Sequence, residues 1–137
     1  MKQFRLINFK IFTSPGYHLT PIEFKDIIPF DVKRVYYITQ FEAGVQTGEH
    51  CHKVEEEVFI VVQGSVTAIV DRGNGKEELQ LNGPTEGMYV PNYVWHGFKN
   101  PSADLIILAL TSTNYNPTRE DYIEDYQTFL QQRDLNT

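Results

Sequence analysis

The stretch Gly44–Gly64, GVQTGEHCHKVEEEVFIVVQG, decides how this chain of 137 residues reads. His50 and His52 stand at i and i+2, Glu57 follows in the same block, and a glycine closes each end. Side chains on a β-strand alternate with period two, so both imidazoles face the same side and can meet one small ligand, substrate or metal. Cys51 between them faces the other way and reads as buried packing. A second block, Gly87–Asn100 (GMYVPNYVWHGFKN), brings His96 in another strand punctuated by glycine and proline.

Working outward, short runs rich in Val, Ile, Tyr and Phe recur between turn residues, a pattern that predicts an all-β fold. The runs are Arg5–Phe12, Tyr17–Phe24, Arg34–Phe41, Glu57–Gln63, Ser65–Asp71, Glu77–Leu81, Gly87–Val90, Trp95–Asn100 and Leu105–Thr111. Arg72-Gly73-Asn74-Gly75 offers residues tolerant of positive φ and reads as a hairpin tip, and Asn82-Gly83-Pro84 reads as a second turn. Near the C-terminus the period changes. Asn116 can cap, Pro117 suits a first helical position, and Tyr122, Tyr126, Phe129 and Leu130 fall on one helical face, which predicts a helix over about 117–131. The chain reads as a single domain, 1–131, with 132–137 as a frayed polar tail.

Composition limits the partners. A hydrophobic content of 41% and an aromatic content of 13% describe one globular domain with rings to spare for a pocket. A net charge of -6 with no dense basic run argues against nucleic acid and against an anionic membrane surface. No run approaches the roughly 20 apolar residues of a membrane helix. The N-terminus has no leader-like apolar stretch, and the single cysteine, Cys51, makes no intrachain disulfide. The expected location is cytoplasmic.

The two histidine blocks together resemble the paired signature of the cupins, which implies an RmlC-like jelly-roll β-barrel with a short C-terminal helix. Two chemistries fit the residues. His50, His52, Glu57 and His96 suit one divalent transition metal, because imidazole favours the later transition ions and a carboxylate adds charge. Alternatively, two imidazoles near their unperturbed pKa of about 6.5 can abstract and return a carbon-bound proton without metal. Tyr37 and Tyr93 are then candidate donors to a developing enolate oxygen.

A narrower resemblance covers roughly Leu6–Leu130. INFK near the start, IPFDVKRVYYI (Ile28–Ile38), the HCHK block, QGSVTAIVDRGNG (Gln63–Gly75), GMYVPNYVWHGF and DYIEDYQTFL look like the dTDP-4-keto-6-deoxyglucose 3,4-ketoisomerases. The resemblance implies a metal-free homodimeric isomerase that moves a keto group from C4 to C3 of a nucleotide-linked 6-deoxyhexose. Its product would lead to amino sugars of surface glycans such as lipopolysaccharide or S-layers. His50 and His52 would carry the proton transfers, Tyr37 would stand near them, and His96 would set the face on which C4 is reprotonated. Arg34 is expected on the opposite face from Tyr37, in an internal ion pair.

The chain departs from that pattern in three places. Ser14-Pro15-Gly16 and Thr47-Gly48-Glu49-His50 each lack an arginine that the family carries, and Glu57 stands where a glutamine is usual. Tyr17, Lys53, Arg72 and Tyr93 are the remaining candidates to hold the substrate. Three readings follow: the metal-free ketoisomerase, a metal-dependent cupin enzyme using His50, His52, Glu57 and His96, and a non-catalytic sugar-nucleotide binding protein.

Overall fold

In the computed structural model, which describes residues 2–136, the chain forms a two-sheet jelly roll. The strands are β1 (Arg5–Asn8), β2 (Phe12–Ser14), β3 (Tyr17–Leu19), β4 (Arg34–Ile38), β5 (Thr47–His52) and β6 (Glu57–Gln63). They continue as β7 (Ser65–Asp71), β8 (Glu77–Asn82), β9 (Glu86–Val90), β10 (Trp95–Lys99), β11 (Ile106–Thr111) and β12 (Tyr122–Ile123). Two helices complete the fold, a single turn α1 (Phe24–Ile27) and a terminal α2 (Tyr126–Asn136). One sheet runs β1-β9-β6-β11-β4 and the other β12-β5-β10-β7-β8, with every pairing antiparallel. β2 and β3 form a hairpin hydrogen-bonded to neither sheet.

The continuous apolar run of β6 follows from burial on both faces. Phe59 and Val61 point inward with Val66, Ala68, Val70, Met88 and Ile107. Val58 and Ile60 point outward and are covered by the segment holding Ile22, Ile27, Ile28, Phe30 and Val32. The second sheet is covered differently. Cys51 and Trp95 on its outer face pack against Ile123 and Phe129, so Cys51 is fully buried packing and α2 is the lid over that face.

Five expected boundaries move by three residues or more, the run Arg34–Phe41 among them, which is a strand only to Ile38. Arg5–Phe12 breaks after Asn8, and Tyr17–Phe24 is a strand only to Leu19, after which Pro21, lacking a backbone donor, precedes the single turn α1. The helix expected over 117–131 begins only at Tyr126. Asn116 caps a tight turn instead, accepting the Thr118 N–H at 3.1 Å while its carbonyl takes the Arg119 N–H at 3.0 Å. Tyr122 and Ile123 then pair with His52 and Cys51 as β12, and Asp125 becomes the true N-cap, accepting the Thr128 N–H at 2.8 Å. The tail expected to fray is helical to Asn136, because the Arg133 guanidinium donates to the Arg72 carbonyl at 2.6 Å and holds the last turn down.

The glycine that closes the first block has a steric reason. Gly64 sits at φ +79, and a Cβ there would lie 2.3 Å from Ser102 Oγ and 2.9 Å from Leu105 Cα. Gly44, at the same φ, faces open space. Gly64→Ala should therefore cost about 2–4 kcal/mol, left-handed strain plus overpacking, and Gly44→Ala about 1–2. Thermal unfolding should show the first variant melting on the order of 10 °C lower and the second shifting by less than half of that. Equal shifts would refute the packing role given to Gly64.

Candidate active site

β5 and β10 pair with His50 directly opposite His96, which turns both rings to the inner face of the second sheet. Phe59 of the inner core stands 5.5 Å from the His96 ring, confirming that this is the space between the sheets. The ring centroids of His50 and His52 are 4.8 Å apart, and those of His50 and His96 are 4.7 Å apart. β6 supplies Glu57 from the facing sheet. His52, His96 and Glu57 are almost wholly buried, whereas His50 is half-buried and offers the approach.

The histidine pair is polarised from one end. His52 Nδ1 lies 2.9 Å from Asp121 Oδ2; a carboxylate only accepts, so this nitrogen carries a proton. His52 Nε2 lies 3.1 Å from His50 Nε2, leaving room for one proton between the two rings. Burial alone would depress the His52 pKa, but the hydrogen bond to Asp121 and the charges of Glu57, Glu55 and Asp121 outweigh it and raise His52 above its ordinary value. His50 is driven the other way, to about 3, by burial first and then by the neighbouring His96 and His52. The more basic ring thus faces a much less basic one.

Asp121 is fixed for this task. Its carboxylate also accepts the Val54 N–H at 2.6 Å and the Glu55 N–H at 3.2 Å. Burial pushes its pKa up, and the hydrogen bonds from His52, Val54 and Glu55 more than offset that, so it stays a carboxylate.

Glu57 anchors the opposite side. Tyr36 donates to Glu57 Oε1 at 3.0 Å, and His96 Nε2 lies 3.0 Å from Glu57 Oε2. Burial would raise this carboxyl; the close approach of His96, with the charges of His52 and His50, holds it down at about 2. Burial, then the Glu57 charge, pushes the Tyr36 phenol well up. His96 Nδ1 donates to the Val94 carbonyl at 3.0 Å, which aims Nε2 at Glu57. The 3.0 Å contact is out of line for a hydrogen bond, so Glu57 Oε2 and His96 Nε2 are both buried without a hydrogen-bond partner.

The acids Glu55 to Glu57 are not a solvated run. Glu55 and Glu57 are buried toward the histidines, and Glu56 turns the other way to take the Tyr89 hydroxyl and Lys2. Burial, reinforced by Glu57, raises the Glu55 carboxyl. Arg34 comes within 3.8 Å of Glu55 and stacks over Tyr36 at 4.9 Å, so its expected internal ion pair exists, on the inner rather than the outer side.

Not every expected residue reaches this centre. Tyr37 points outward and is 72% exposed; β4 places Tyr36 inward, opposite the buried Ala109. Tyr17 is 63% exposed on the free hairpin. Lys53, Arg72 and Tyr93 line a groove of about 920 Å³ whose walls include none of the histidines. Sequence reasoning missed Tyr36, Glu55, Asp121, Tyr122 and Arg119. Tyr122 packs 4.5 Å from His52 and 5.0 Å from His50, and the Arg119 guanidinium lies 3.8 Å over the Tyr122 ring. Arg119 is thus a cation at the half-open His50 side.

This geometry can move protons, and the chain is similar to known proteins. The family described as FdtA, WxcM-like, C-terminal matches residues 2–134. The TDP-4-oxo-6-deoxy-alpha-D-glucose-3,4-oxoisomerase of Aneurinibacillus thermoaerophilus is 38% identical over 125 residues, covering 91% of this chain and 88% of the relative. Among solved structures, the sugar 3,4-ketoisomerase QdtA of Thermoanaerobacterium thermosaccharolyticum, in complex with TDP, superposes with a TM-score of 0.88 at 35% identity. That match covers 97% of this chain and 96% of the other. WlaRA, a TDP-fucose-3,4-ketoisomerase of Campylobacter jejuni, gives a TM-score of 0.85 at 31% identity and covers 96% of each chain. With an inner histidine pair, a jelly roll and a match over nearly its whole length, the chain belongs to the FdtA family of WxcM-like C-terminal domains.

Proposed function

We propose that this chain is a sugar-nucleotide 3,4-ketoisomerase that converts a TDP-linked 4-keto-6-deoxyhexose to its 3-keto isomer by proton transfer, with His50 and His52 as the acid–base pair. The observation that carries the reading is the hydrogen-bonded line Asp121–His52–His50, in which a ring whose pKa is raised faces one whose pKa is lowered. One relative is named for TDP-4-oxo-6-deoxy-alpha-D-glucose and a structural neighbour for TDP-fucose, both TDP-linked sugars. On this reading the product serves the making of deoxyamino sugars for surface glycans, and a cytoplasmic enzyme is part of the proposal.

The reaction balances without an external oxidant. The C3 proton beside the C4 ketone passes to neutral His50, its electron pair forms the C3–C4 double bond, and the C4 carbonyl oxygen takes a proton from His52 to give an enediol. His50 then returns its proton to C4, His52 takes back the O3 hydroxyl proton, and the ketone stands at C3. Carbon 4 is reduced, carbon 3 is oxidised, and protons alone are exchanged. His52 is the acid that protonates the C4 oxygen, Asp121 orients it and raises its pKa, and Glu57 with Tyr36 fixes His96 against the reacting face. Arg119, standing over Tyr122 and ion-paired at one nitrogen with Glu124, is the cation we assign to the diphosphate in place of the two missing arginines.

A second reading has one observation in its favour. Ligand atoms of His50, His52, Glu57 and His96 lie within 4.8 Å of one another, and the orphaned Glu57 Oε2 and His96 Nε2 suit a bound cation. A divalent transition metal held by these four would supply Lewis-acid polarisation of a substrate oxygen. Because the proton chain accounts for the reaction with the chain's own groups, we favour the metal-free form. We also propose a homodimer: an isolated two-stranded hairpin is marginal in water, and β2–β3 exposes Phe12, Tyr17 and Leu19, a surface that a second copy would cover.

Protein incubated with TDP-4-keto-6-deoxyglucose should yield the 3-keto isomer by NMR, and chelator-treated protein should keep its rate. Binding of the sugar nucleotide without turnover would leave only the non-catalytic reading; activity lost on chelation and restored by one transition ion would favour the metal. Asp121→Asn removes the charge that raises His52, so its activity should fall off at lower pH on the alkaline side, with kcat down roughly 10- to 100-fold. An unshifted alkaline limb would detach Asp121 from the proton chain. Light scattering should report twice the 15.9 kDa chain mass, and a monomer at micromolar concentration would exclude the dimer.

A further inference from the structure

The groove lined by Lys53, Arg72 and Tyr93 gathers five basic side chains in a chain of net charge -6. Lys2, Lys76 and Arg133 complete its cations, while Glu77 is the one acid in its lining. These residues come from the N-terminus, the end of β5, the β7–β8 tip and the last turn of α2, so folding converges cations that the sequence scatters. Glu77 is taken by Arg72 at 2.7 Å, and two more of the cations meet acids just outside the lining, Lys2 with Glu56 at 3.0 Å and Lys76 with Glu49 at 3.3 Å. Lys53 has no acidic partner among the described residues.

The walls are built rather than loose. Arg133 donates to the Arg72 carbonyl and packs on Gly73, where a Cβ would lie 2.1 Å from Arg133 Nη2. Its Nε is a buried donor with no hydrogen-bond partner. Lys53 is pinned on both sides, its N–H donating to the Asp121 carbonyl at 2.9 Å and its carbonyl taking the Asn92 amide at 2.9 Å. Phe4, under the Arg72 guanidinium at 4.9 Å, and Tyr93 add flat apolar surface. Multiple cations, amide donors and two rings in a groove of about 920 Å³ form a setting for a phosphorylated small molecule of nucleotide size.

We infer that this groove is a second anion site, separate from the histidine centre, that binds the di- or monophosphate of a small phosphorylated metabolite. Its floor touches the back of the catalytic strand: the Tyr93 N–H donates to the His52 carbonyl at 2.8 Å, and Lys53 follows His52 in the chain. An occupant would thus bear on the segment that positions His52 and Asp121. The inference concerns binding and does not depend on which reaction the histidines perform.

Inorganic pyrophosphate, which has neither sugar nor base, is the probe. Titration followed by backbone NMR should give saturable shifts at Lys53, Gly73, Lys76 and Asn92, with a dissociation constant below about 1 mM. The double variant Lys2→Ala/Lys76→Ala alters side chains that are 51% and 42% exposed, so the fold should hold. It should weaken pyrophosphate at least tenfold while KM for the nucleotide sugar stays within about twofold. Absence of saturable binding, shifts confined to Arg119 and His50, or unchanged affinity in the double variant would each overturn the site. A KM that rises in step with pyrophosphate affinity would also overturn it, making the groove part of the substrate pocket. The single variant Lys76→Arg, which keeps the charge, should retain binding; its failure to do so would equally contradict a charge-based site.

Discussion

The hydrogen bond between Asp121 and His52 is the contact on which the rest of the centre depends. It joins the catalytic strand to the chain that follows β11, and β12 pairs beside it so that Tyr122 seals the histidines. It also sets the charges. Burying an imidazolium is costly unless it is paired, and Asp121, Glu57 and Glu55 supply the pairing for His52. Burial first, then His96 and His52, lower the pKa of the neighbouring His50 while that of His52 is raised, and two chemically identical side chains acquire opposite roles.

The same contact makes stability depend on pH. His52, raised above its ordinary 6.5, contributes fully below that value and loses its contribution as pH rises through the folded pKa. Asp121, depressed below 3.8, contributes above that value and loses it as pH falls through its folded pKa. Between those limits the pair supports the fold in full. His50 opposes it there: held neutral while its unfolded counterpart takes a proton, it subtracts stability below 6.5. The site therefore trades acid tolerance for a ready proton acceptor.

How far the sequence revealed this depended on the kind of signal. The i, i+2 spacing of His50 and His52, with the second glycine-punctuated block, was enough to bring His50, His52, His96 and Glu57 to one point, because strand alternation is local and rigid. Alternation without a phase marker was not enough at Tyr36-Tyr37, where adjacent tyrosines let either be the inward one; only pairing with buried Ala109 settles it. Asp121 was hidden by a helical pattern of acids and aromatics in the tail. The decision there belongs to tertiary contacts, the pairing of Tyr122 with His52 and the cap by Asp125, which composition does not show. Lys53 and Arg72 were recognisable as cations for an anion, yet their place in a separate groove follows from the convergence of four distant segments.

The central claim is a charge distribution, and nitrogen-15 NMR of the histidine rings reads it directly. At neutral pH the account predicts His52 protonated on both nitrogens and His50 neutral, with Asp121→Asn discharging His52. Finding His52 neutral in the native protein, or the charge on His50, would contradict the assignment of acid and base on which the proposed mechanism stands.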